Sequence, residues 1–205
     1  AGQRLYADPI DRTTWSSSRP SWTLRSPSGT PVFDTTFTPR APFVVPTSGT
    51  YDLLIGGNLG EPATPASATF NLRTVSDTSA DLTLGADVAE TLTLPGEVRR
   101  YRFTLANATW LSFDTRSDSN LNWALTGPWG PVSSGRFWSS AWQPQPAPAG
   151  EYLLEVSGIA PEFGPYRFAL IDVFSGPPIN LGQEVEATFN PNASTIVYSL
   201  DLVPG

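Results

Sequence analysis

The chain predicts an all-β protein made of tandem antiparallel β-sandwich modules, jelly-roll or immunoglobulin-like, with no significant helix. Three observations carry that expectation. Apolar residues alternate with period two in one short run after another. Proline is abundant, 21 in 205 residues, and often clustered, as in QPQPAPAG over 143–150, which argues against helix interiors. The sequence also resembles itself at a spacing near one hundred residues, too long for a solenoid and right for repeated domains.

The elements follow in chain order. Trp22, Leu24, Pro27 and Gly29 recur 101 positions later as Trp123, Leu125, Pro128 and Gly130, a shared W-x-L-x-x-P-x-G. At the same offset Gly49, Tyr51 and Leu53 recur as Gly150, Tyr152 and Leu154. Phe70, Leu72 and Val75 recur 98 positions later as Phe168, Leu170 and Val173. The offset then becomes 97, where Leu84, Gly85, Val88, Thr91 and Tyr101 fall on Leu181, Gly182, Val185, Thr188 and Tyr198. Small drifts between fixed anchors are loop insertions between shared strands. The strands themselves alternate: YRFTL (101–105), LNWAL (121–125), EYLLEV (151–156) and YRFAL (166–170) each put apolar residues on one face. Pro95-Gly96 marks a turn between two such runs.

This register cuts the chain unevenly. Residues 1–77 read as a β-sandwich module lacking its opening strands, and 78–177 as a complete one. Residues 178–205 read as the opening strands of a further module, able to complete the first module of a neighbouring chain or, by folding back, of the same chain. Val185, Phe189, Ile196, Tyr198 and Leu200 are the assembly positions on those strands.

The anchors of the full module resemble the bacterial pre-peptidase C-terminal domain. The stretches that carry the likeness are YRFTLANATWLSFDT (101–115), DSNLNWALTGPWG (118–130), PAGEYLLEVSG (148–158) and GPYRFAL (164–170). The resemblance implies a jelly-roll-like sandwich in a secreted or surface protein of a bacterium, acting as an accessory module and not as a catalyst. It also implies a calcium option. Asp118 and Asn120 stand at the paired-aspartate positions, with Asn in place of the second Asp. The expectation is therefore no cofactor, with Asp118 and Asn120 as weak candidates for calcium.

Composition narrows the chemistry. Cys, His, Met and Lys are absent, and all twelve basic residues are Arg. The imidazole, thiolate and amine groups that serve most general-base, metal-ligand and Schiff-base roles are therefore missing, and the chain reads as a non-enzyme. Two acids four residues apart on one strand, such as Glu151 and Glu155, stand about 13 Å apart, a poor spacing for a paired-carboxylate site. A net charge of −7 argues against nucleic acid or an anionic membrane as partner. No apolar run reaches the roughly 18 residues of a membrane-spanning helix.

The richest candidate surface is GPWGPVSSGRFWSSAW (127–142), with Trp129, Phe137, Trp138 and Trp142 among Gly and Ser. Such rings stack on sugars or anchor a protein partner, or else they pack the sandwich itself. The expected function is a non-enzymatic extracellular structural protein, a repeat unit of a surface filament or array. Its partners are copies of itself, joined head to tail, or neighbouring modules of a longer chain. The alternative is an accessory module of a secreted protein or hydrolase that binds a polysaccharide or a matrix protein.

Overall fold

Alternating strands need a partner edge and a covered face, and the computed structural model shows where each finds them. It describes residues 1–11, 20–57, 67–138, 143–158, 162–189 and 195–202, with no helix among them. The chain divides into two units, Ala1–Ser76 and Asp77–Gly205.

In unit 1, β1 (Arg4–Asp11) lies between β4 (Phe43–Val44) and β6 (Thr69–Thr74). The second sheet places β2 (Ser21–Arg25) between β3 (Pro31–Thr36) and β5 (Asp52–Gly56). Trp22 fills the core, its ring 4.7 Å from Phe37 and 5.5 Å from Phe33.

Unit 2 has the same two sheets with more strands. One is ordered β13 (Gln145–Ala147), β10 (Thr109–Thr115), β15 (Gly164–Asp172), β8 (Val88–Leu92). The other runs β12 (Gly130–Arg136), β11 (Asn122–Gly127), β14 (Gly150–Ser157), β9 (Val98–Leu105), β7 (Thr78–Asp81). Every pairing is antiparallel except β7 with β9, which is parallel. Phe113 sits at the centre of the core, stacked on Trp123 at 4.1 Å and on Phe168 at 5.0 Å. Stacked and edge-on rings of this kind add to the area that they bury.

The repeated anchors have identifiable tasks. Gly150 holds a φ of +142° and Gly49 one of +141°, a region that disfavours any residue with a Cβ. A Cβ on Gly150 would meet the Pro128 ring at 2.9 Å, and one on Gly49 would meet the Pro27 ring at 2.5 Å. The shared Pro and Gly are therefore one contact, made in both units. The shared Tyr is a second device. The Tyr152 hydroxyl donates to the Pro148 carbonyl at 2.8 Å and that of Tyr51 to the Thr47 carbonyl at 2.7 Å, each four residues back along its own chain. Both tie the entry of a strand to its preceding turn.

Burial gives unit 2 an alkaline limit. Tyr101 and Tyr166 share a 2.6 Å hydrogen bond between buried hydroxyls. Burial raises both of their pKa values and that of Tyr152, Tyr166 most strongly. A folded pKa above the unfolded value means that this stability is complete below about pH 10 and is lost as pH rises, because the unfolded chain ionises first. Each tyrosine held protonated costs about 1.4 kcal/mol per pH unit in that range. The urea midpoint of unit 2 is thus expected to hold between about pH 7 and 9 and to fall steeply above 10. A midpoint that stays level to about pH 11 contradicts the buried tyrosine pair.

Candidate assembly site

The strand orders expose a difference between the units. In unit 2, β8 covers the outer edge of β15, and β9 covers the outer edge of β14. In unit 1 the corresponding strands are β6 and β5. Among the described residues nothing pairs with the outer edge of either. The inward side chains along those edges are left partly uncovered. Phe70 is 37% exposed where its counterpart Phe168 is 0%, and Ile55 is 38% exposed where Val156 is 0%. Leu72 is uncovered to the same degree as Phe70, while Leu170 is buried. Among the described residues unit 1 is a sandwich open along the edges of β5 and β6, one in each sheet. Open edges of this kind invite pairing with another chain.

The strands of matching sequence lie in unit 2. Residues 178–202 align with 81–105, which hold the end of β7 together with β8 and β9. They form no ladder of their own among the described residues, because a strand needs a sheet edge to pair with. They nevertheless keep the local geometry of a module start. Pro178 and Ser199 form a parallel bridge, matching Asp81 opposite Arg102 in the β7–β9 ladder. The Ile179 amide donates to the Ser199 carbonyl at 2.9 Å, as that of Leu82 does to Arg102 at 2.8 Å. The Gln183 amide donates to the Asn180 carbonyl at 3.1 Å, as that of Ala86 does to Thr83 at 3.2 Å. Gly182 has φ +78° and Gly85 φ +76°. Gly176 allows the bridge to close, since a Cβ there would meet the Val197 carbonyl oxygen at 2.4 Å.

The assembly positions read from the sequence sit on this segment. Val185, Phe189 and Leu200 are exposed, Phe189 by 61%, and Ile196 and Tyr198 are half-buried. The counterparts of Phe189, Tyr198 and Leu200 are the core residues Leu92, Tyr101 and Phe103, and those of Val185 and Ile196 are the half-buried Val88 and Arg99. Leu54, Ile55, Ala68, Phe70 and Leu72 lie on the open side of unit 1, and the sequence reading marked none of them as an acceptor position. The signal was present at one of them, since Leu54 stands where the outward Glu155 stands in the complete module.

The aromatic stretch resolves differently from the sequence expectation. Phe137 is no surface anchor. It is buried in the unit 2 core, 5.8 Å from Phe113 and 5.6 Å from Tyr166, because the end of β12 turns its ring between the sheets. Trp138 is exposed, with the Arg136 guanidinium 5.9 Å from its ring. Trp142 lies outside the described residues. Trp129, 87% exposed, joins Trp110 and Phe174 around a cleft of about 320 Å³ walled by Pro146 and Pro148. Trp138 is not part of that cleft. The hydroxyl in its lining, that of Thr109, already donates to Asp172 at 2.5 Å.

Asp118 and Asn120 line a second cleft together with Glu162. Two carboxylates and an amide are a sparse oxygen set for calcium, which takes about 6–8 oxygen ligands. Among the described residues no three His, Cys, Asp or Glu side chains gather as a metal site. No helix among them is long and apolar enough to cross a membrane.

No family model matches the chain, and no curated protein matches it. Solved structures do. The infectious bursal disease virus structure, Gx strain, matches over 82% of this chain and 53% of its own, at 11% identity and a TM-score of 0.16. The periplasmic inhibitor of g-type lysozyme from Aeromonas hydrophila covers 46% of this chain and 96% of its own, with 14% identity and a TM-score of 0.40. The pre-peptidase C-terminal domain of a collagenase from Bacillus anthracis covers 49% of this chain and 99% of its own, with 18% identity and a TM-score of 0.38. A solved pre-peptidase C-terminal domain is thus among the structures to which this chain is similar.

Proposed function

We propose that this chain is a non-enzymatic, secreted bacterial β-sandwich protein that works by assembly. Residues 178–202 of one copy supply the β8-like and β9-like strands that unit 1 of the next copy needs. The observation that carries this reading is the pairing of two half-sites. Among the described residues unit 1 has open β5 and β6 edges, and residues 176–183 and 197–199 hold the geometry of a module start without a sheet to join. Strand addition satisfies the backbone groups of an open edge, and alternate side chains supply specificity. Donor and acceptor are different surfaces, so the contact is head to tail and propagates.

The charged groups of unit 2 support a structural role. Asp114 accepts from Arg116 at 2.9 Å and Glu155 accepts from Arg100 at 2.8 Å, so these acids serve the fold. The absence of Cys and Met leaves little for oxidants to attack and suits an exposed life outside the cell.

Light scattering during size exclusion of the full chain, across a range of concentrations, tests the reading. A ladder of oligomers that grows with concentration is expected, together with its loss when residues 178–205 are deleted. A monomer at every concentration, or oligomers indifferent to the deletion, sinks the proposal.

A further inference from the structure

Donor and acceptor differ from the complete module at facing positions, and the differences compensate. Inside unit 2, β8 pairs with β15 so that Glu90 faces Tyr166 and Leu92 faces Gly164. Leu92 is therefore the inward diagonal neighbour of Tyr166, and both are buried in the core. At the position of Tyr166 unit 1 carries Ala68, a ring lost. At the position of Leu92 the donor segment carries Phe189, a ring gained. Ala68 is half-buried against the unit 1 core, and Phe189 is exposed.

The second exchange is on the outer face. Glu155 faces Arg100 across the β14–β9 ladder, and their side chains pair at 2.8 Å. Hydrogen bonds to Asp77 first and to Glu155 hold the Arg100 pKa above its usual value. The corresponding pair is Leu54 on β5 of unit 1 and Val197 in the donor segment. Leu54 is 48% exposed. One ion pair has become one apolar pair, with its halves in different units.

We infer that these two exchanges make residues 178–202 specific for unit 1 of a second copy of this chain and exclude them from the matching place in unit 2. The inference rests on the strand-addition reading above. Phe189 in place of Leu92 would drive a second ring against Tyr166, and overfilled cores lose stability. Val197 in place of Arg100 would leave Glu155 facing an apolar side chain. In unit 1 both mismatches vanish, because Ala68 makes room for the ring and Leu54 welcomes the valine. Discrimination thus comes from penalties against the wrong site as well as from fit to the right one. The segment cannot displace the unit's own β8 and β9, so the chain does not scramble its complete sandwich.

Two pairs of substitutions in the full chain test this. Leu54→Glu changes an exposed position of the monomer, so its fold is expected to stand. It is expected to weaken assembly by about tenfold or more, with Val197→Arg in the same chain restoring it to within about threefold. Ala68→Tyr is expected to weaken assembly similarly, with Phe189→Leu restoring it. Restoration by a change in the donor separates a lost interface from a misfolded acceptor. If assembly depends on residues 178–205 but neither single substitution weakens it, or neither partner restores it, the specificity inference fails and the strand-addition reading stands. If the wild-type chain does not assemble at all, both fail.

Discussion

Phe168→Ala is expected to lower the unfolding free energy of unit 2 by about 3–5 kcal/mol, and the matching Phe70→Ala to lower that of unit 1 by less than half as much. The two residues occupy equivalent positions on β15 and β6. Phe168 is fully buried, with Phe113 stacked on it at 5.0 Å and Tyr101 edge-on at 5.4 Å. Its removal opens a cavity that the surrounding rings cannot collapse to fill. Phe70 has Trp22 at 6.3 Å and Phe37 at 6.4 Å on one side and open surroundings on the other. Its partly hydrated ring has less transfer free energy to lose. Urea titration of the two variants as monomers, followed by tryptophan emission, reads the difference. Equal costs would mean that the unit 1 core is closed, and the assembly reading would lose its acceptor. In assembled protein the Phe70→Ala cost is expected to rise towards that of Phe168→Ala.

Arg116→Ala is expected to cost unit 2 about 3 kcal/mol, and Arg167→Ala far less. Arg116 is mostly covered, and its Nε donates at 2.9 Å to Asp114, a carboxylate with no exposed surface. Removing the guanidinium takes the Arg116 partner away from a fully buried carboxylate, the costly way to break such a pair. Arg167 instead reaches Asp87, and both side chains keep about a third of their surface in water. Its hydrogen bond, followed by that of Arg116, holds the Asp87 carboxyl below its usual range. That contribution is present above the ordinary aspartate pKa and fades as pH falls through the lowered value. Thermal melting of both variants at neutral pH checks the contrast, and equal melting temperatures would refute it.

The sequence displayed the backbone devices well. Pro27 with Gly49, Pro128 with Gly150, and the corner tyrosines Tyr51 and Tyr152 perform tasks that few residue types can do, so they recur in register. Period-two alternation located the strands because one face of each had to be apolar. The parts that stayed hidden are those where distant residues meet. Trp110, Trp129 and Phe174 share a cleft although 64 positions separate the first from the last. Asp87, Arg116 and Arg167 form one charged network from three distant parts of the chain. Phe137 misled because Gly and Ser around it look like a surface loop, and only the bend at the end of β12 sends its ring inward. Phe189, Tyr198 and Leu200 stood out because they repeat positions that are core in the complete module, whereas Val185 and Ile196 repeat the half-buried Val88 and Arg99. The first module was read as short of its opening strands, but its individual edge residues were not marked, since an open edge is defined by what fails to pair with it.

The parallel bridge at Pro178 and Ser199 bears on time as well as on fit. A donor already folded back on itself has less conformational freedom to surrender when it docks, so the barrier to joining is lowered. Once docked, its two strands belong to opposite sheets. If one strand peels away, the shared turn keeps it tethered by the other, so it can re-form its ladder before the second one breaks. An array assembled as proposed would therefore shorten slowly on dilution, because a copy is lost only when both tethered strands are open at the same time.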